Sequence, residues 1–401
     1  MNQSTANPLS QVVPYRLLAV LWLVGWTLRV PILAAPPLAT RIADSFGLGE
    51  AAVGALTMLP VVMVAFGALP AAWIIARFGL RAAIVTGLLV MAAASVARGQ
   101  VPSASSLFLA SAVMGLGVAM FQTALPAATR VWTPTHVALG SAVYLNGMML
   151  GELSGAGLTL PVVLPLAGGD WRFALVLWSV PILLIALLVA LMRPPKEQSD
   201  TGSAGLPGLC KDASLPKWND LRVWQYGLLL ASSVVAFFVV NAYSGSILQS
   251  RGEYEAAEEF HFAYNATPLL ASFAVLMAPR WVGSRGPIAV SALFAALGLA
   301  GFAFLDGWAS WVSALVAGFA ATVELILLVS LPPAIAKGIA VTRLSAGMTL
   351  IGFSTAFLLT LLGGWLADST DWIEMALTPS LIFMIVALGA LGRAARYPDY
   401  E

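Results

Sequence analysis

Long apolar stretches, each closed by a short polar or basic turn, recur along the whole chain. A hydrocarbon core about 30 Å thick takes about 20 helical residues to cross, at a rise of roughly 1.5 Å each. Stretches of that kind occupy 17–40, 52–76, 82–99, 104–131, 138–163, 173–192, 223–248, 257–279, 287–305, 309–335, 341–366 and 373–391. The pattern predicts an all-α membrane protein of twelve transmembrane helices. One polar interruption is much longer than the rest: 193–222, RPPKEQSDTGSAGLPGLCKDASLPKWNDLR, rich in Gly, Pro and Ser. It follows six spans and precedes six, so it reads as a linker between two six-helix bundles, over 1–192 and 223–401.

Composition agrees with the pattern. The chain is 60% hydrophobic and 10% charged, against roughly 25% charged in a soluble domain. The positions of the charges set the orientation. With the N-terminus inside, the inner segments carry fifteen Lys and Arg, and the outer ones carry Arg41, Arg98, Arg172 and Arg251 only. Under the positive-inside rule this places both termini in the cytoplasm of a cell-membrane protein. The opening MNQSTANPLSQVVPY lacks a basic n-region and is not expected to be a cleavable signal. Cys210 is the single cysteine, so no disulfide within the chain is expected.

The two halves repeat one another weakly. LPVVMVAFGALPAAWIIARFG from Leu59 parallels TPLLASFAVLMAPRWVGSRG from Thr267, with Pro60 and Pro268 separated by 208 residues. LGSAVYLNGMMLG from Leu139 parallels LSAGMTLIGFSTA from Leu344, with Gly147 and Gly352 separated by 205 residues. Two matches at nearly one offset point to parallel repeats with a site between them, an arrangement known for membrane transporters.

At this point the sequence resembles the major facilitator superfamily, and within it the cyanate permease / 2-nitroimidazole transporter subfamily. The likeness is carried by Leu28-Arg29 with Pro31, by Ala55 to Val62 (ALTMLPVV), by Gly115-Leu116-Gly117 with Phe121-Gln122 and Pro126, and by Ala395-Arg396-Tyr397-Pro398. It extends over essentially the whole chain. Members typically place Pro directly after the first-span Arg, whereas Val30 intervenes here. The superfamily's G-x-x-x-D-R-x-G-R-[RK] loop survives over Ala72 to Arg81, keeping Arg77, Gly79 and Arg81, with Ala76 where Asp is usual. The resemblance implies a gating loop at Arg77, Gly79 and Arg81, although both arginines also fit as simple inner-face anchors. It further implies that spans one, four, seven and ten line a central cavity flanked by two, five, eight and eleven.

Three charged side chains lie deep in spans: Arg29, Glu152 and Glu324. A guanidinium at bilayer depth costs at least ~2.5 kcal/mol on insertion scales and so needs compensation. For Arg29 two readings stand. One is capture of an anionic substrate by the guanidinium fork, beside an aromatic wall of Trp22 and Trp26 one and two turns back. The other is a structural pair with Glu152, which lies beside the small-residue face Gly147, Gly151, Gly155. Glu324 has no obvious cation in its own half unless His261 turns inward. It is therefore expected either to carry protons or to be a neutral structural acid. His261 is otherwise expected at the outer interface.

Gln122, Tyr144, Asn146, Asn241, Tyr243, Asn265 and Ser354 complete a set of candidate substrate contacts, each also explicable as a helix–helix hydrogen bond. No nucleotide-binding loop, H-E-x-x-H, C-x-x-C or G-x-S-x-G occurs. The expectation is a monomeric secondary transporter, not an enzyme, with no cofactor, metal or nucleic-acid partner. Its cargo would be a small anion such as a cyanate-like ion or a small carboxylate, with Glu324 or Glu152 as candidates for coupling to protons. Efflux of small nitroaromatic or other toxic compounds is the alternative within transport. A non-transporting receptor or scaffold is the alternative outside it.

Overall fold

The computed structural model describes residues 14–192, 218–335 and 339–393. The first six spans are Tyr15–Phe46 (one), Glu50–Phe78 (two), Leu80–Gln100 (three), Ala104–Trp132 (four), Val137–Gly157 continued by Thr159–Leu166 (five), and Trp171–Leu191 (six). The second six are Leu221–Ser250 (seven), Ala257–Met277 (eight), Arg285–Phe304 (nine), Gly307–Val329 (ten), Ile339–Thr370 (eleven), and Thr378–Arg393 with its leading turn Ile373–Leu377 (twelve). Ten are long and apolar enough to cross a membrane as single elements, span five joins them as a bent pair, and span twelve is shorter. Residues 193–217 of the expected linker lie outside the described set.

Two spans depart from the unbroken helices that the hydrophobic pattern predicts. Span one is in four pieces, Tyr15–Thr27, Val30–Leu33, Pro36–Leu38 and Ala39–Phe46. Proline has no N–H to give the carbonyl four residues back, so Pro31, Pro36 and Pro37 withdraw partners from Thr27, Ile32 and Leu33. Hydropathy records none of this, because proline interrupts hydrogen bonds without adding polarity. Span five bends by 54° where it passes into a wider helical turn, Thr159–Val163, around Pro161. Such breaks persist at bilayer depth only where neighbours or a cavity satisfy the freed backbone.

Small residues fix the packing. Gly147, Gly151 and Gly155 set span five directly against the backbone carbonyls of Trp22, Trp26 and Val30 in span one, and Gly25 returns the contact at the backbone of Tyr144. A methyl group at any of these glycines would collide with backbone, which cannot move aside. In the second half a Cβ at Gly352 would stand 3.1 Å from the Leu230 side chain of span seven. Spans five and eleven thus hold spans one and seven in matching ways, as the sequence repeat predicts. Spans two and four touch at Pro60 and Gly115, and spans eight and ten at Thr267 and Gly318.

Twelve crossings return the chain to the face on which it began; that face is called here the terminal face and the other the far face. The halves are joined by hydrogen bonds at the far face: Glu50 N–H to Asp368 Oδ1 (2.7 Å), Ala51 N–H to Asp368 Oδ2 (3.0 Å), Ser246 O–H to Glu50 Oε2 (3.1 Å) and a Thr40–Tyr254 hydroxyl pair (2.9 Å). Gly364 brings span eleven against the backbone of Glu50 and Ala51, so the far end is closed tightly.

Candidate functional site

Arg29 sits at the break in span one, in the turn between Thr27 and Val30. It is 6% exposed and Glu152 8%. Its Nε lies 3.2 Å from Glu152 Oε1, an ion pair by distance, but the N–H is not aligned for a hydrogen bond. The two terminal nitrogens make no hydrogen bond among the described residues, and unlike Nε they are not sealed from open space. The carboxylate therefore compensates the charge without occupying the fork. The glycine seam puts it there: Gly151 abuts Trp26 and Gly155 abuts Val30, which brings Glu152 level with the break.

The aromatic wall expected of Trp22 and Trp26 is partly spoken for. Trp22 Nε1 donates to Asn146 Oδ1 and Trp26 Nε1 to Ser154 Oγ, both at 3.0 Å, so the indoles tie span one to span five. Asn146 is accordingly occupied by a helix–helix hydrogen bond. Trp26 also meets Trp178 of span six at 6.1 Å between rings. Tyr144 and Ser354 are half-buried, and Gln122 is half-buried with its Oε1 sealed and unpartnered.

Spans seven and eight share a second polar cluster. Asn265 Nδ2 donates to Asn241 Oδ1 (3.0 Å) and to the His261 carbonyl (3.0 Å), while Asn241 Nδ2 donates to the Phe237 carbonyl (3.2 Å). Asn265 Oδ1, Ser244 Oγ and both ring nitrogens of His261 are buried without a partner. His261 is 1% exposed, which corrects the expectation of an interfacial histidine. Its position near the end of an apolar stretch suggested the interface, but packing within the bundle leaves the ring almost no exposed surface. Tyr243 is fully buried; its hydroxyl donates to the Thr360 carbonyl (2.7 Å) and meets Gly54 of the other half. It is a seam residue of the far-face closure.

Glu324 lies in span ten, one of those that the resemblance sets around a central cavity. It has no exposed surface, accepts one hydrogen bond from Ser232 (2.7 Å), and leaves Oε2 buried and unpartnered. Its neighbour Ser233 donates to the Ala321 carbonyl, so two adjacent serines bind span seven to span ten. At the turn between spans two and three, Arg77 is exposed and Gly79 turns the chain at φ 85°. Arg81 donates through Nε to the Val189 carbonyl (3.2 Å) and through Nη2 to Ala190. Those contacts stay within one half, at the end of span six.

Sequence reasoning missed three groups. Ser232 carries no motif. Asp368 carries no motif either, and only the approach of span two gives it a role. Arg98 lies one residue from the end of its apolar stretch, where the charge pattern counts it with the outer segments; the structure buries it to 1% exposure. Among the described residues no cluster of metal-binding side chains occurs.

The model of the Major Facilitator Superfamily matches residues 17–357. The chain belongs to that superfamily. It is 28% identical over 318 residues to the 2-nitroimidazole transporter of Escherichia coli (strain K12), covering 78% of this chain and 77% of that one. It is 24% identical over 385 residues to the uncharacterized transporter YycB of Bacillus subtilis (strain 168), covering 94% and 92%. Among solved structures, a bacterial homolog of the human lysosomal transporter spinster, inward-facing and occupied, superposes with a TM-score of 0.78 at 16% identity over 98% and 99% of the two chains. The xylose transporter XylE from E. coli, partially occluded and inward open, gives 0.74 at 14% identity over 96% and 100%. As a major facilitator transporter, the protein is a multi-pass membrane carrier of a small-molecule substrate.

Proposed function

We propose that the protein carries a small anion, a small carboxylate or a cyanate-like ion, by alternating access. One observation carries this reading: Arg29 meets Glu152 through Nε alone and leaves its terminal nitrogens to open space at a break in span one. A guanidinium fork matches two coplanar oxygens with two parallel hydrogen bonds, whereas an ammonium offers only a point charge. Broken helices near the midplane are where transporters of this kind build their sites. Glu152 offsets the cation when the site is empty and withdraws when an anion arrives.

A second reading has its own support. The relative in E. coli is named a 2-nitroimidazole transporter. A nitro group presents the same pair of coplanar oxygens with partial charge, so the same fork accepts it more weakly. Export of neutral nitroaromatics therefore remains the alternative cargo.

Proton coupling is proposed for Glu324, whose carboxyl faces one hydroxyl and no cation among the described residues. In hydrocarbon the proton-bearing form of such a group is the cheaper one. The membrane is proposed to be the cell membrane, with the terminal face in the cytoplasm and the protein acting as a monomer.

The test is a thermal-shift screen of the purified protein against small carboxylates, cyanate and nitroaromatics, repeated with Arg29→Ala and Arg29→Lys. Loss of anion stabilisation in both variants is the expected result. Undiminished anion binding by Arg29→Ala overturns the reading, and nitroaromatic binding that tolerates lysine selects the alternative.

A further inference from the structure

Arg98 is the most completely buried cation among the described residues, and it has no carboxylate. The guanidinium, in span three, is 1% exposed. Its Nη1 donates to the carbonyl of Pro31 in span one at 2.8 Å and approaches Met114 Sδ of span four at 3.2 Å. Its Nε and Nη2 have no acceptor. No carboxylate among the described residues pairs with it. A guanidinium stays protonated at any ordinary pH. A full charge is thus held in apolar surroundings with two donors unused, a costly arrangement unless an opposite charge joins it.

A second unpartnered polar group is buried on the adjoining span. Ser111 of span four is fully buried and its Oγ has no partner. Spans three and four run antiparallel, with Gly117 against Met91 and Met114 contacted by both Ser95 and Arg98. One turn before Met114 on the same helical face, Ser111 comes level with Arg98. The junction of spans one, three and four therefore offers three sealed polar atoms, Arg98 Nε, Arg98 Nη2 and Ser111 Oγ, of which the two nitrogens only donate.

We propose that this junction binds a small inorganic anion of halide size, held by Arg98 and Ser111. A halide accepts from several donors at once and needs no donor in return, which suits a set without a free acceptor other than the serine hydroxyl. Water fills one such position but leaves the charge uncompensated. The site is distinct from that of Arg29. Glu152 meets Arg29 from span five, whereas Arg98 reaches span one from span three, two residues further on. The bound anion fixes Arg98 on the Pro31 carbonyl, which the irregular backbone beyond Leu33 leaves without a helical partner. It thereby holds the break that presents Arg29.

The experiment is thermal unfolding of the purified full-length protein while chloride replaces gluconate at constant ionic strength. Wild type is expected to gain several degrees in Tm, saturably, and Arg29→Ala to keep that response. Ser111→Ala, a small change expected to fold, should raise the chloride midpoint about tenfold, the loss of roughly one charge-assisted hydrogen bond. Arg98→Met should abolish the response. A wild type indifferent to chloride overturns the proposal, as does a response unchanged in Ser111→Ala or retained in Arg98→Met. Loss of the response in Arg29→Ala also overturns it, by assigning the anion to the cargo site. Should Arg98→Met fail to fold, Ser111→Ala and Arg29→Ala decide between these outcomes.

Discussion

Asp368 of span eleven accepts the backbone N–H of Glu50 at 2.7 Å, so a carboxylate from one half caps the first turn of span two in the other. The second oxygen takes the N–H of Ala51, and the pair of bonds satisfies two of the donors that a helix start leaves open. Bonds of this charge-assisted kind contribute about 1.5–3 kcal/mol each. Opening the far face requires breaking both.

Asp368→Ala should therefore shift the protein toward states open at the far face. A cysteine at Ser246, in a Cys210→Ser background, reports this through its reaction rate with a membrane-impermeant maleimide. Loss of both bonds, about 3 kcal/mol of closure or more, corresponds to a rate increase of at least roughly a hundredfold. An unchanged rate would mean that the capping bonds do not hold the gate.

The glycine seam makes a prediction about stability. A Cβ at Gly151 would run into the Trp26 carbonyl, so Gly151→Val must push spans one and five apart. Overpacking of this kind costs about 1–3 kcal/mol. A lowered Tm in detergent is expected, together with loss of ligand stabilisation, because Glu152 no longer stands level with Arg29. Gly168→Ala, at a far-face turn with open space around it, tests a different quantity, since its φ of 67° disfavours any side chain. Its effect should stay confined to stability, with binding intact.

Glu152→Gln separates the two duties of the carboxylate. Removing its charge leaves Arg29 uncompensated in the empty protein, so the substituted protein should be less stable without ligand. The same change removes a competitor, so anion affinity should hold or rise. Isothermal titration alongside a melting curve reads both at once; a fall in affinity would make Glu152 a direct ligand.

Glu324→Gln keeps the Ser232 hydrogen bond while removing the titratable proton. Under the coupling proposed, gradient-driven uptake into proteoliposomes is abolished and substrate exchange continues. Undiminished uphill transport in this variant would end the coupling role.

The course of the spans was legible because the cost of an unpaired peptide group in hydrocarbon leaves helices as the solution for apolar stretches of this length. Arg29 and Glu152 were legible for a related reason: a charge in such a stretch stands out against its neighbours. Trp22 and Asn146 were each visible as candidates, yet their bond to one another was not, since it depends on the register that the glycines impose. His261 and Arg98 were misplaced because distance from the end of an apolar run measures depth along one helix and says nothing about which neighbours cover it.

The sequence by itself determined the twelve crossings, the doubled architecture and the presence of a fixed positive charge at depth, for these follow from hydropathy, period and the chemistry of single side chains. Tertiary structure alone decided which atoms of that charge stay free, which carboxylate stands beside it and how the far face closes. Those outcomes are set by contacts between residues a hundred to three hundred positions apart, where a shift of one helical turn would exchange every partner.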